Sequence, residues 1–199
     1  MWYIYTKEKE MQYLKKEIRE RIVDSAVDEF YKLGYSDASI RNIAQTAKVS
    51  LGNVYRYFAN KETLYLAVIN PVINAAQNRV DMLFMFTTDT FDKVPHMIVE
   101  FINEYANELS IVTKGSVEHY EKFTNAVIDS VSENINKLIA EQYPAIYRKI
   151  KNPDFHIAAA SSFVHGLFFI VQQDSDDESK IQYIKEYLLY FFGKFESRL

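Results

Sequence analysis

Ser39-Ile-Arg-Asn-Ile-Ala-Gln-Thr-Ala-Lys-Val-Ser-Leu-Gly-Asn-Val-Tyr-Arg-Tyr-Phe58 reads as two short helices joined by a tight turn. Ser39 is placed to N-cap the first helix, with Ile40, Ile43, Ala44 and Ala47 inward. Ala47-Lys48-Val49 forms the turn, Ser50 caps the second helix, and Val54 and Phe58 anchor it to a core. This is helix-turn-helix spacing, in which the first helix braces a second that enters a DNA major groove. Ala44 is small where the two helices must approach, and Val49 plugs the gap between them. Leu51, Gly52, Asn53, Tyr55, Arg56 and Tyr57 face outward with one arginine and no carboxylate, and a carboxylate there would be repelled by phosphate.

Working outward, Leu14, Ile18, Ile22, Ala26, Phe30 and Leu33 recur at helical spacing, which predicts a helix over residues 14–33 ended by Gly34. On the other side Asn60 caps a helix that begins Lys61-Glu62-Thr63-Leu64, and Pro71 predicts either a break in it or one long helix bent near Pro71. Further helices are expected over residues 92–109, 116–142, 153–173 and 179–197, the last preceded by the acidic linker 174–179. The expected fold is all-α: a three-helix helix-turn-helix domain over residues 13–60, then a helical bundle over 61–199 that dimerises through its last two helices.

Composition fits this architecture. With 199 residues, 48% hydrophobic, but only 5 Gly and 4 Pro, the chain can bury a core and favours long helices over many tight turns. It has no cysteine, which excludes disulfides, thiolate metal sites and thiol nucleophiles and fits a cytoplasmic location. The apolar run 157–171 is too short for a bilayer and is broken by Ser161, Ser162 and His165, and the N-terminus lacks the basic leader of a secretion signal. Residues 1–70 hold 11 Lys/Arg against 9 Asp/Glu, whereas the rest holds 12 against 18. That asymmetry permits a DNA-facing end on a chain of net charge −4.

Ile43-Ala44, Val49-Ser50, Val54-Tyr-Arg-Tyr-Phe58 and Asn60-Lys-Glu-Thr-Leu64, preceded by Phe30-Tyr-Lys-Leu-Gly34-Tyr35, resemble the DNA-binding domain of TetR/AcrR-type transcriptional regulators. The resemblance covers about residues 14–69; beyond it only the helix pattern matches. It implies that Ser39 and its helix start bind phosphate and that Arg41 reaches a base edge or phosphate. Asn53 and Arg56 would read bases, Tyr55 and Tyr57 would bond phosphates through their hydroxyls, and Lys61 would grip the backbone beside the groove. Ser50, Leu51 and Gly52 complete the expected DNA-binding face. The plainer alternatives are core packing for Tyr55 and Tyr57 and ordinary solvated surface for Arg41, Arg56 and Lys61. Lys48 stands where the family usually has glycine; if that position is left-handed, the substitution costs roughly 1 kcal/mol unless a phosphate contact offsets it.

After Pro71, Met82, Phe86, Phe101, Tyr105, Tyr120, Phe123 and Phe163 are either simple core or the lining of a pocket for a small hydrophobic or aromatic effector. The small residues Ala158, Ala159, Ala160, Ser161, Ser162 and Gly166 let helices approach closely, and the wide apolar arc Ile181 to Phe195 fits a homodimer interface. His96, His119, His156 and His165 show no metal-binding pairing, and His165 reads as a core residue. No nucleophile–base pair, carboxylate pair or glycine-rich phosphate loop is visible, so no enzyme activity, cofactor or membrane partner is expected. The expectation is a dimeric repressor of a double-stranded DNA operator, released by an effector that moves the helix after Lys61. The alternative is a DNA-binding regulator whose C-terminal domain is a protein-interaction module without an effector.

Overall fold

The computed structural model describes residues 2–84 and 92–192, with side chains from residue 14 onward. These residues form ten helices: α1 Trp2–Asp37, α2 Ile40–Thr46, α3 Leu51–Tyr57, α4 Lys61–Phe84, α5 Val94–Glu104, α6 Ala106–Thr113, α7 Val117–Gln142, α8 Pro144–Tyr147, α9 Phe155–Val171 and α10 Asp177–Phe192. No strand occurs among the described residues, and none of their helices is long and apolar enough to cross a membrane.

Contacts divide the chain into two compact units: residues 1–72 with 107–120, and residues 73–106 with 121–199. The boundary expected after residue 60 thus falls inside the first unit, because the first half of α4 packs there. Both α4 and α7 begin in the first unit and end in the second.

The first unit buries Ile22, Ala26 and Phe30 of α1, Ile43 and Ala44 of α2, Val54 of α3, Phe58, and Leu64, Tyr65, Val68 and Ile69 of α4, with Phe30 edge-on to Tyr65 at 5.3 Å. The expected α1 stripe is therefore correct in its middle and wrong at both ends, since Leu14 and Leu33 are 55% and 47% exposed. Helix α1 begins well before the core starts, with roughly 30 Å of helix ahead of Ile22. Gly34 does break it: its φ of 73° and ψ of 175° are non-helical, and helical turns resume to Asp37.

Pro71 neither ends nor divides α4. It removes one backbone donor, but Val68, Ile69, Val72 and Ile73 around it are all buried, and their burial holds the helix through the lost bond. The helix expected over 92–109 is instead two, α5 and α6, parted at Tyr105, which leaves helical geometry at φ −113°, ψ 28°. Short α8 follows Tyr143 with Pro144 at its first position, a placement that suits proline's fixed φ.

The second unit buries Val80 of α4, Val94, Ile98 and Val99 of α5, Ile128, Val131, Ile135 and Ile139 of α7, Ala160, Phe163 and Val164 of α9, and Ile184 and Leu188 of α10. Gly166 of α9 lies under the Tyr187 ring, and a Cβ there would overlap the phenol oxygen. That oxygen donates toward the carbonyls of Ser162 and Phe163, each at 3.1 Å. Burial holds the Tyr187 phenol protonated up to about 12. His165, expected in the core, is exposed and bonds back through Nδ1 to the Ser161 carbonyl at 2.8 Å. Ala158, Ser162 and Phe169, at helical spacing from it, are exposed as well. The last residues expected in the final helix, 193–197, including Phe195, lie outside the described residues.

Candidate nucleic-acid interface

Helix α3 sits on the outside of the first unit. Its one buried residue is Val54, while Leu51 and Tyr55 are 38% and 50% exposed, Gly52 and Arg56 are exposed, and Asn53 and Tyr57 are half-buried. Ser50 caps it as expected, its Oγ accepting from the Asn53 N–H at 3.2 Å. Lys48 does take the left-handed conformation, at φ 55°. The turn closes through Lys48 N–H to the Gln45 carbonyl (3.1 Å) and Val49 N–H to the Ala44 carbonyl (3.0 Å).

From Ala38 to Lys61 the chain has no carboxylate, whereas Arg41, Lys48, Arg56 and Lys61 are cationic. Arg41, Lys48 and Arg56 are exposed, and none forms an ion pair among the described residues. This segment offers a positive, hydrogen-bonding face to a polyanion.

Ser39 and Lys61 take on packing tasks of their own. Ser39 is the residue before α2, but its side chain makes no capping bond. The tie is made by Glu29 of α1 instead, whose Oε1 accepts from the Ser39 N–H and the Asn42 amide, each at 3.1 Å. Lys61 bonds the Ser36 carbonyl at 2.9 Å and lies 4.9 Å above the Tyr35 ring, pinning the start of α4 to the end of α1. Asn60 caps α4 reciprocally: Asn60 Oδ1 accepts from the Thr63 N–H (2.8 Å) and Thr63 Oγ1 from the Asn60 N–H (3.1 Å).

A buried aromatic cluster braces this end of the unit. His119 of α7, 4% exposed, places Nε2 2.9 Å from Glu62 Oε2 on α4. Its ring stacks on Tyr65 at 4.1 Å and meets the edge of Tyr35 at 4.5 Å. Tyr65 Oη reaches the Ile111 carbonyl of α6 at 3.4 Å, and Gly115 leaves the room this needs. Burial raises the Tyr65 phenol well beyond the usual range. The same cause, with a hydrogen bond to Glu62, raises Tyr35. In the sequence His119 reads only as a histidine without a metal partner, because its partner lies 57 residues away. A second contact with no sequence signal is the Arg19 guanidinium of α1, 5.2 Å above the Phe58 ring that ends α3.

Of the residues expected to line a pocket, Phe123 and Phe163 are buried, Phe101, Tyr105 and Tyr120 are half-buried, and Met82 is 48% exposed. Phe86 lies outside the described residues. Phe101 pairs with Tyr105 (5.0 Å), Phe123 with Phe168 (5.8 Å) and Phe163 with Tyr187 (5.7 Å), whereas Tyr120 belongs to the first unit. In the second unit a groove of about 950 Å³ opens between His96 and the acidic stretch from Asp176 to Glu186, and none of the expected pocket residues lines it. No group of metal-ligating side chains occurs among the described residues.

The family model of bacterial regulatory proteins of the tetR family matches residues 22–68. The chain is 24% identical over 129 residues to the HTH-type transcriptional repressor KstR of Mycobacterium tuberculosis, a match covering 65% of this chain and 58% of KstR. It is 20% identical over 141 residues to IcaR, a negative transcriptional regulator of a Staphylococcus aureus biofilm operon, over 69% of this chain and 76% of IcaR. The match therefore spans little more than half the length of KstR. The fold of this chain is similar to that of NalD, the secondary repressor of a Pseudomonas aeruginosa multidrug efflux pump. The TM-score is 0.63 at 19% identity, over 90% of this chain and 97% of NalD.

Proposed function

Starting from a chain that carries the tetR-family N-terminal domain over residues 22–68, we propose that it is a transcriptional regulator that binds operator DNA as a homodimer and acts as a repressor. The observation that carries this reading is α3: an exposed helix on a carboxylate-free segment, fixed from behind by Val54 and Phe58. In this reading Asn53 and Arg56, whose polar ends have no intramolecular partner among the described residues, read base edges. Tyr55, Tyr57, Arg41 and Lys48 meet phosphates.

The dimer is proposed through α9 and α10. Their apolar residues Ile157, Phe169, Tyr183, Leu189 and Tyr190 are exposed in the single chain, and large exposed apolar side chains on two adjacent helices suit a protein interface. A two-fold dimer would present two α3 helices to half-sites about 34–36 Å apart. The second unit is proposed to take a small apolar effector among its aromatic side chains, Phe101, Tyr105, Phe123 and Phe163. The repressors it resembles make release of DNA the expected response. Such an effector acts only through its differential affinity for the two states, and α4, one helix from Lys61 to Phe84, is the element through which it would act.

Footprinting on the DNA upstream of its own coding sequence tests the reading. Two protected half-sites one helical turn apart or a multiple of it are expected; protection of no discrete site would refute it.

A further inference from the structure

Helix α1 changes character along one face. Ile22, Ala26 and Phe30 form the stripe that packs on the helix-turn-helix, and all three are fully buried. At 3.6 residues per turn, Arg19 and Lys15 lie within about 40° of that same stripe, one and two turns ahead of it. Both are exposed, because α1 has there run past the core of its unit. The carboxylates Glu17, Glu20 and Asp24 fall on the opposite half of the helix, with Arg21 among them, and Lys16 pairs with Glu20 at 3.7 Å. Neither Lys15 nor Arg19 forms an ion pair among the described residues.

Arg19 is also held in place. Its guanidinium lies over the Phe58 ring, one residue past the end of α3, so the charge stands beside the recognition helix with its side-chain freedom already reduced. An arginine stacked on a ring keeps its N–H groups free for an anion, and the planar guanidinium suits phosphate oxygens. A cation stacked one residue past the end of α3 is close enough to a groove-bound α3 to make the flanking sugar–phosphate backbone its candidate anion.

We propose that Arg19 and Lys15 form an accessory phosphate-binding track on α1, outside the helix-turn-helix, that extends each subunit's grip onto backbone beside the half-site. The track adds affinity without base preference. It rests on the DNA-binding reading above.

The test measures binding to a duplex from upstream of the chain's own gene, and to a random-sequence duplex, across a salt series. Wild type is compared with Arg19→Gln, Arg19→Lys, Lys15→Gln, Asp24→Asn and Arg56→Ala. Arg19→Gln and Lys15→Gln should each flatten the log–log salt slope by about 0.9 for every phosphate left unneutralised, about 1.8 for a two-fold complex, on both duplexes. Arg19→Lys should keep the wild-type slope, and so should Asp24→Asn from the opposite half of α1. A purely structural role for Arg19 would lower thermal stability without moving the slope. Lys15→Gln, which breaks no ion pair, keeps the test valid if Arg19→Gln unfolds. Unchanged slopes for Arg19→Gln and Lys15→Gln, with Arg56→Ala losing affinity, would overturn the track and leave the regulator reading standing. No binding of either duplex by wild type would overturn both.

Discussion

His119 and Glu62 meet across two helices at 2.9 Å, joining the first turn of α7 to the first turn of α4. Nδ1 of the imidazole is buried with no hydrogen-bond partner among the described residues, so the ring proton belongs on Nε2, facing the carboxylate. Glu62 is thus the acceptor for a buried donor. Glu62→Ala should destabilise the fold by about 1–3 kcal/mol, the cost of stranding that N–H, and Glu62→Gln should cost less because an amide oxygen remains to accept. His119→Ala, which empties the space packed against the Tyr35 and Tyr65 rings, should cost about 2–4 kcal/mol. Urea midpoints of the three variants check the order.

Lys48 gives a prediction in which stability and function move in opposite directions. At φ 55° it occupies a region that disfavours residues with a Cβ. Lys48→Gly should therefore raise the stability of the DNA-binding unit by about 1 kcal/mol. If Lys48 meets phosphate, the same variant should bind DNA more weakly and with a shallower salt dependence. A thermal melt and a salt titration on one preparation measure both.

How far the sequence was legible depends on what kind of constraint each residue carries. The helix-turn-helix reads well because its signals are local: cap residues, the tight turn at Lys48, and inward Val54 and Phe58 within one short window. The long α7 reads well because its apolar residues recur with a helical period, and α9 because it is one long, mostly apolar run. Pro71 leaves two forms open, a break or one long helix; α4 is continuous, because proline's local cost is small beside the burial of Val68, Ile69, Val72 and Ile73 around it. His165 misled because an apolar helix need not bury every face; Ala158, Ser162, His165 and Phe169 of α9 are all exposed. The tie from Glu29 to Ser39, the His119–Glu62 pair and the Arg19–Phe58 stack join distant residues, and no local pattern marks such pairs.

Gly166 supplies a third prediction. Its missing side chain lets Tyr187 lie across α9 and reach the carbonyls of Ser162 and Phe163. Gly166→Ala should cost about 1–3 kcal/mol through overpacking. Adding Tyr187→Phe should recover part of it by removing the closest atom. Calorimetric melts of the single and double variants would show whether the two effects couple.

Tyr187 also sets an alkaline limit. Burial raises its phenol from the ordinary 10.0 to about 12, so the folded state holds this proton more tightly than the unfolded chain does. Its contribution to stability is complete below pH 10 and is lost as the pH rises from there to about 12. Tyr187→Phe should make the fall of stability across that window shallower. Urea unfolding at a series of alkaline pH values checks the slope.

The central claim is that α3 reads DNA through its outward side chains. Its most direct measurement is the affinity of Arg56→Ala for the upstream DNA and for a random-sequence duplex, each against wild type. A larger loss on the upstream DNA than on the random duplex, by about 1–3 kcal/mol, is the predicted result. Equal affinities for wild type and Arg56→Ala on both duplexes, with the variant fully folded, would contradict it.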